Sequence, residues 1–155
     1  MINKKNKNLG GPSNSKKRKG LLSSITAIQV QDEHHLISAS DTDGIIKIWD
    51  LRKSYDNHYK TDPKAKYIIP APSEFYHGYT SLILNSTKTH LYASCIDNHI
   101  YCFDLASYGE KSLTSFTGFE CGKNKRSRYF IRMSLSHDDK YLACGSTGTS
   151  NIMYF

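Results

Sequence analysis

From Leu21 onward the chain alternates apolar and polar positions with a period of two. SSITAIQV (23–30) sets Ile25 and Ala27 on one face against Thr26, Ile28 and Val30 on the other. HLISAS (35–40) is short and apolar, and IIKIWDL (45–51) sets Ile46 and Ile48 against Lys47. A period of two places successive side chains on opposite faces of a strand. The intervening QDEH and SDTDG have the chemistry of tight turns. Three short strands joined in this way predict an antiparallel meander. No segment longer than two turns keeps a helical period.

The same pattern returns twice. HLISASDTDGIIKIWDL (35–51), HLYASCIDNHIYCFDL (90–105) and YLACGSTGTSNIMYF (141–155) align on Leu36, Leu91 and Leu142. Each copy has an apolar strand of small residues, a polar turn, and a second strand ending in an aromatic. The first two add an acid, giving Trp49-Asp50 and Phe103-Asp104. A further candidate strand precedes each copy: SSITAIQV, YTSLILN (79–85) and YFIRMSLS (129–136). Regular spacing of this kind is the sequence mark of a repeat architecture. In the third copy Tyr154 is aligned with Trp49, and Gly148 with Asp43 and Asp97.

Charge changes this picture at one end only. Of the 21 Lys and Arg residues seven lie within residues 1–20, leaving 14 to balance the 14 acids. The excess of +7 therefore belongs to the tail MINKKNKNLGGPSNSKKRKG and not to a folded face. That tail has almost nothing to bury and is expected to be disordered. Ten residues separate Lys4 and Lys5 from Lys16, Lys17, Arg18 and Lys19, the layout of a bipartite nuclear-import signal. A solvated basic linker is the other reading. No run approaches 18 apolar residues, so no membrane-spanning helix is expected. No apolar stretch follows Lys4, Lys5 and Lys7, so no signal peptide is expected. A cytosolic or nuclear location follows. Cys95, Cys102, Cys121 and Cys144 form no CxxC pair and join no histidine cluster, so no metal or cofactor is expected. The seven histidines and Asp138-Asp139 make no catalytic constellation.

The repeated unit resembles the WD repeat of β-propellers, whose blade is a four-stranded meander with a Trp-Asp pair closing its third strand. The resemblance implies an all-β fold: a partial propeller of about three blades, near 21–77, 78–118 and 127–155, the last incomplete. Asp43 and Asp97 match the family's turn aspartate. The family's Gly-His before the first strand is replaced by Gly78-Tyr79, so the His–Asp tetrad of the model repeat is not carried over. Such rings have four to eight blades, so the chain is expected to be part of a larger propeller. By itself it would expose open sheet edges and be prone to aggregate.

Longer strings narrow the resemblance. TDGIIKIWDLRKSY (42–55), GYTSLILNST (78–87), NHIYCFDL (98–105) and YFIRMSLSHDDKYL (129–142) resemble the denticleless family, over about 21–155. That family's members are substrate receptors of the cullin-4 RING ubiquitin ligase that recognise proteins bound to the sliding clamp PCNA. The resemblance implies a non-catalytic nuclear protein with two kinds of partner, the ligase adaptor (the large damaged-DNA-binding subunit) and PCNA-bound substrates. It implies neither a membrane nor sequence-specific nucleic acid. The WDLR tetrapeptide fits the WD-x-R motif such receptors use on the adaptor. Trp49 and Asp50 would hold the strand end and Arg52 would project from the rim, its forked guanidinium suited to carbonyls or carboxylates. Leu36, Ile37, Ala39, Ser40, Asp43, Ile46 and Ile48 are its scaffold. FDLAS (103–107) has no arginine at the matching place. Lys123, Lys125, Arg126 and Arg128 would lie in a loop on the opposite, substrate side, either touching an acidic surface or simply solvated. A WD-repeat scaffold in another nuclear complex is the alternative reading.

Overall fold

The computed structural model describes residues 23–53, 64–72, 77–108, 112–122 and 131–147, and the backbone of 153–154. The basic tail 1–20, with Lys4, Lys5, Lys16, Lys17, Arg18 and Lys19 of the bipartite pattern, lies outside the described residues. So do Lys123, Lys125, Arg126, Arg128, Gly148 and Phe155. Every regular element among the described residues is a strand.

Three antiparallel sheets follow one another along the chain. The first runs in sequence order through β1 (Ile25–Val30), β2 (His35–Ser40), β3 (Ile46–Asp50) and β4 (Tyr67–Ile69). The second repeats it with β5 (Tyr79–Leu84), β6 (His90–Cys95), β7 (Ile100–Asp104) and β8 (Thr114–Phe116). The third has β9 (Met133–Leu135), β10 (Leu142–Cys144) and β11 (Met153–Tyr154). The nine strands read from alternation and turns are all present; β4 and β8 lie where no strand was read. Three residues of one pairing partner are too few for a periodic signal.

The copies agree down to single backbone bonds. Gln31, Asn85 and Ser136 each donate N–H to the first residue of the next strand, His35 or His90, or to Tyr141 beside it. Leu51 N–H reaches His34 O at 2.7 Å, and Leu105 N–H reaches Thr89 O at 2.8 Å. Lys66 N–H reaches Ile48 O, as Leu113 N–H reaches Cys102 O. The first strands of the first two sheets share a bulge, between Ile25 and Ala27 and between Tyr79 and Ser81. Register also corrects the third copy. Leu36 pairs with Trp49 and Leu91 with Phe103, whereas Ala143, not Leu142, pairs with Tyr154. Tyr154 therefore stands at the place of Ile48 and Cys102, one residue before the Trp position. A two-residue strand ending could not fix that register from sequence, where a slip of one changes the face.

Alternation assigns each face its neighbour. Ile37, Ile46, Ile48 and Ile69 of the first sheet pack on Tyr79, Leu91, Tyr101, Phe103 and Leu105 of the second. The second sheet's other face carries Ile100 against Ile131, Met133, Leu142 and Cys144 of the third, with Phe119 and Cys121 between. Burial of each such side chain is worth about 1.5–3 kcal/mol. Polar bonds tie the first strands together: Thr26 Oγ1 donates to Tyr79 O at 2.6 Å and Gln29 Nε2 to Leu82 O at 2.8 Å. Arg132 Nη1 donates to Thr80 O at 3.0 Å. The β9–β10 turn is clamped to the β5–β6 turn, where Asp139 accepts from Ser86 N and Oγ.

A candidate protein-docking rim centred on Arg52

β3 ends at Asp50 and the chain turns at once, Lys53 N–H donating to Asp50 O at 3.0 Å. Alternation puts Asp50 on the face of Ile46 and Ile48, against the second sheet, and its side chain is only 6% exposed. A carboxylate there needs partners. Arg52 supplies them: Nε donates to Oδ1 and Nη2 to Oδ2, each at 2.9 Å, and its backbone N–H adds a bond of 3.2 Å. This side-on bidentate pair is among the stronger charge-assisted geometries. It holds the Asp50 carboxyl well below the usual carboxylate range, chiefly through the Arg52 side-chain bonds, with Lys66 adding charge. Arg52 is itself 56% exposed. Its guanidinium is thus anchored on one edge and open to a partner elsewhere.

A second cation closes the site from β4. Lys66 Nζ lies 3.8 Å from Asp50 Oδ2 and 2.9 Å from His35 Nε2. His35 is the register partner of Asp50 and turns Nδ1 to Asp32, at 2.8 and 3.0 Å from its two oxygens. Asp32 also caps the β1–β2 turn, accepting from His34 N and His35 N. Beside these groups Tyr67 stacks on Tyr108, in the turn after β7, at 4.1 Å, with Lys66 Nζ 5.3 Å from the Tyr67 ring. Tyr108 holds a left-handed φ of 47°. Leu51, half exposed, completes the rim.

Trp49 faces the other way. Its Nε1 donates to Ser38 Oγ on β2 at 2.8 Å. It shares its face with Ile28, Val30 and Ile68, all more than half exposed. Phe103, its counterpart, is fully buried between sheets. Ser38 corresponds to Ala93, so where the indole N–H is missing its acceptor is missing too. The turn aspartates behave alike. Asp43 accepts from Ile45 N at 3.1 Å and from Ser40 Oγ and Lys47 Nζ. Asp97 accepts from His99 N at 3.1 Å and Tyr101 Oη at 2.7 Å. Neither holds a histidine from a preceding Gly-His. Tyr79, at that place, is buried with its hydroxyl unpartnered.

A family model, "WD domain, G-beta repeat", matches residues 16–50. The protein lethal(2)denticleless of Drosophila melanogaster is 43% identical over 81% of this chain. The denticleless protein homologs of Gallus gallus and Homo sapiens are each 40% identical over 80% of it. The chain belongs to the denticleless family. It spans 16% to 17% of the length of those three relatives, so its sheets are a piece of the denticleless plan, carrying WD-repeat blades.

Within that family plan the two rims of the sheets are distinct. Arg52 lies where third strands end. β8 ends at the opposite rim, because it runs antiparallel to β7. Near that rim Ser24, Thr26, Asp41 and Arg132 line an open cavity of about 390 Å³. Sequence reasoning singled out Trp49, Asp50 and Arg52 but missed His35 and Lys66. Lys66 lies outside every strand read from the sequence, and no local signal marks a residue that meets its partners 16 and 31 positions away.

Proposed function

We propose that this chain forms part of a substrate-recognition subunit of a cullin-4 RING ubiquitin ligase and presents Arg52 to the ligase adaptor. The subunit does no chemistry. It bridges the adaptor to PCNA-bound substrates in the nucleus, for replication- or damage-coupled degradation. The observation that carries this reading is the exposed guanidinium of Arg52, locked at the rim by Asp50. An arginine with one edge already bonded loses less side-chain freedom on docking than a free one. Its remaining donors suit a carbonyl or carboxylate on the partner. The second blade, with Ala106 and Ser107 after Asp104, offers no such group. The basic loop of Lys123, Lys125, Arg126 and Arg128 suits the substrate side.

The test is co-purification of the full-length protein with the adaptor. Arg52→Ala is expected to lose it while binding to PCNA-loaded substrate persists. Unchanged adaptor recovery would leave a WD-repeat scaffold of another complex as the better reading.

A further inference from the structure

The blade that carries Arg52 differs from the next blade at two further places, the residue that caps its first turn and the residue before its fourth strand, and both join the Arg52 site through His35 and Asp50. Asp32 caps its turn through His34 N and His35 N; Asn85 does the same through Thr89 N and His90 N. Lys66, which donates to Ile48 O, corresponds to Leu113, which donates to Cys102 O. Arg52 corresponds to Ala106. The histidine and the strand-end aspartate are kept in both blades, as His35 with Asp50 and His90 with Asp104. Thus the blade with the arginine has Asp32 and Lys66, and the blade without it has Asn85 and Leu113.

In the first blade these groups form a continuous chain. Asp32 holds His35 Nδ1, His35 Nε2 meets Lys66 Nζ, Lys66 neighbours Asp50 Oδ2, and Asp50 grips Arg52. An ammonium has only hydrogens to offer, so His35 Nε2 is the acceptor and Nδ1–H donates to Asp32. The same carboxylate oxygen of Asp50, Oδ2, takes both Lys66 and Arg52 Nη2. Lys66 therefore helps set where that oxygen stands, and with it the plane of the guanidinium.

We infer that Lys66, backed by His35 and Asp32, is a positioning residue for partner recognition by Arg52. Structural support alone would not need a charged relay, since the second blade keeps the same strands with Asn85 and Leu113 in those roles. The inference rests on the adaptor-docking reading above, and the partner group it serves is a carbonyl or carboxylate that a fixed guanidinium can fork.

The experiment measures affinity of the full-length protein for the purified ligase adaptor. Lys66→Leu, which copies the second blade, is expected to weaken binding about tenfold, within the range of coupled neighbours. Lys66→Arg is expected to restore most of it. In an Arg52→Lys background, where no fork is left to position, Lys66→Leu should cost less than about twofold. Melting midpoints report folding of each variant, and Lys66→Gln, which keeps most of the stem, replaces Lys66→Leu if the latter unfolds. Equal losses in both backgrounds, or wild-type affinity for Lys66→Leu while Arg52→Ala fails to bind, would overturn the positioning role and leave the docking reading intact. Wild-type affinity for Arg52→Ala would remove both.

Discussion

The guanidinium of Arg52 and the carboxylate of Asp50 meet edge to edge, through two bonds of 2.9 Å, although the arginine is largely exposed and the aspartate almost wholly buried. Arg52 is therefore both a surface residue and the partner of a buried charge. An alanine at 52 removes the proposed docking group and also strips Asp50 of its main donor. A pull-down on that variant needs a folding control, which Arg52→Lys supplies by keeping a cation nearby.

Acid should expose this pair. Arg52 holds the folded Asp50 carboxyl below its ordinary value, so the fold favours the ionised form. That contribution is present above the ordinary value of about 3.9 and is lost as pH falls below it. Asp104, lowered by its Ser107 and Ala106 bonds, acts in the same sense. Thermal melts of the full-length protein from pH 7 to pH 3 should show a steep acid limb that Asp50→Asn makes shallower. An unchanged limb would mean that the pair does not couple to folding.

The indole of Trp49 and the hydroxyl of Ser38 should behave as a unit. Trp49→Phe removes the donor and leaves Ser38 Oγ short of its partner, at a cost of about 1–3 kcal/mol. Adding Ser38→Ala reproduces the Phe103 and Ala93 combination of the next blade and should recover part of the loss. A double-mutant cycle by chemical denaturation measures the coupling, and strict additivity would rule it out.

The hydroxyl of Tyr79 is buried without a partner, and burial pushes its ionisation far upward. Removing it costs no hydrogen bond and ends a desolvation penalty. Tyr79→Phe should be neutral or stabilise by about 1 kcal/mol, read from denaturant midpoints. A marked destabilisation would show that the hydroxyl is bonded.

Gly78 permits close approach of the two blades. A Cβ there would lie 1.9 Å from Asp41 O, a backbone atom that cannot swing aside. Gly78→Ala should cost at least the about 1–3 kcal/mol typical of overpacking, seen as a lowered melting midpoint. A variant as stable as wild type would show that the Asp41 turn yields freely.

The four cysteines are free and buried. Burial pushes Cys144 up to about 12 and Cys95 higher still. Thiolate is the reactive form, so native protein at neutral pH should leave both unlabelled by a maleimide, while denatured protein reacts fully. Rapid native labelling of either would contradict the packing between the sheets.

Much of this was legible along the chain. Alternation around Ile46 and Ile48, turn chemistry at SDTDG and the recurrence of HLISAS as HLYASC are local signals, and local signals survive without coordinates. Tyr154 shows where they stop. Its two-residue strand carries too little pattern to fix register, and the structure moves it one place from the tryptophan position. Lys66 shows the same limit from another side, because a lysine in a polar segment is indistinguishable from any solvated charge until its neighbours are known.

The sequence alone determined the strands, the turns, the repeat and the family, because each is written in residues close together or in strings long enough to be specific. Tertiary structure decided which charges meet. Asp32, His35, Asp50, Arg52 and Lys66 come together because β1 to β4 fold back on themselves, carrying both ends of a 35-residue stretch to one rim. Electrostatic contacts depend on that closure and on the low exposure of Asp50, neither of which any short stretch of sequence encodes.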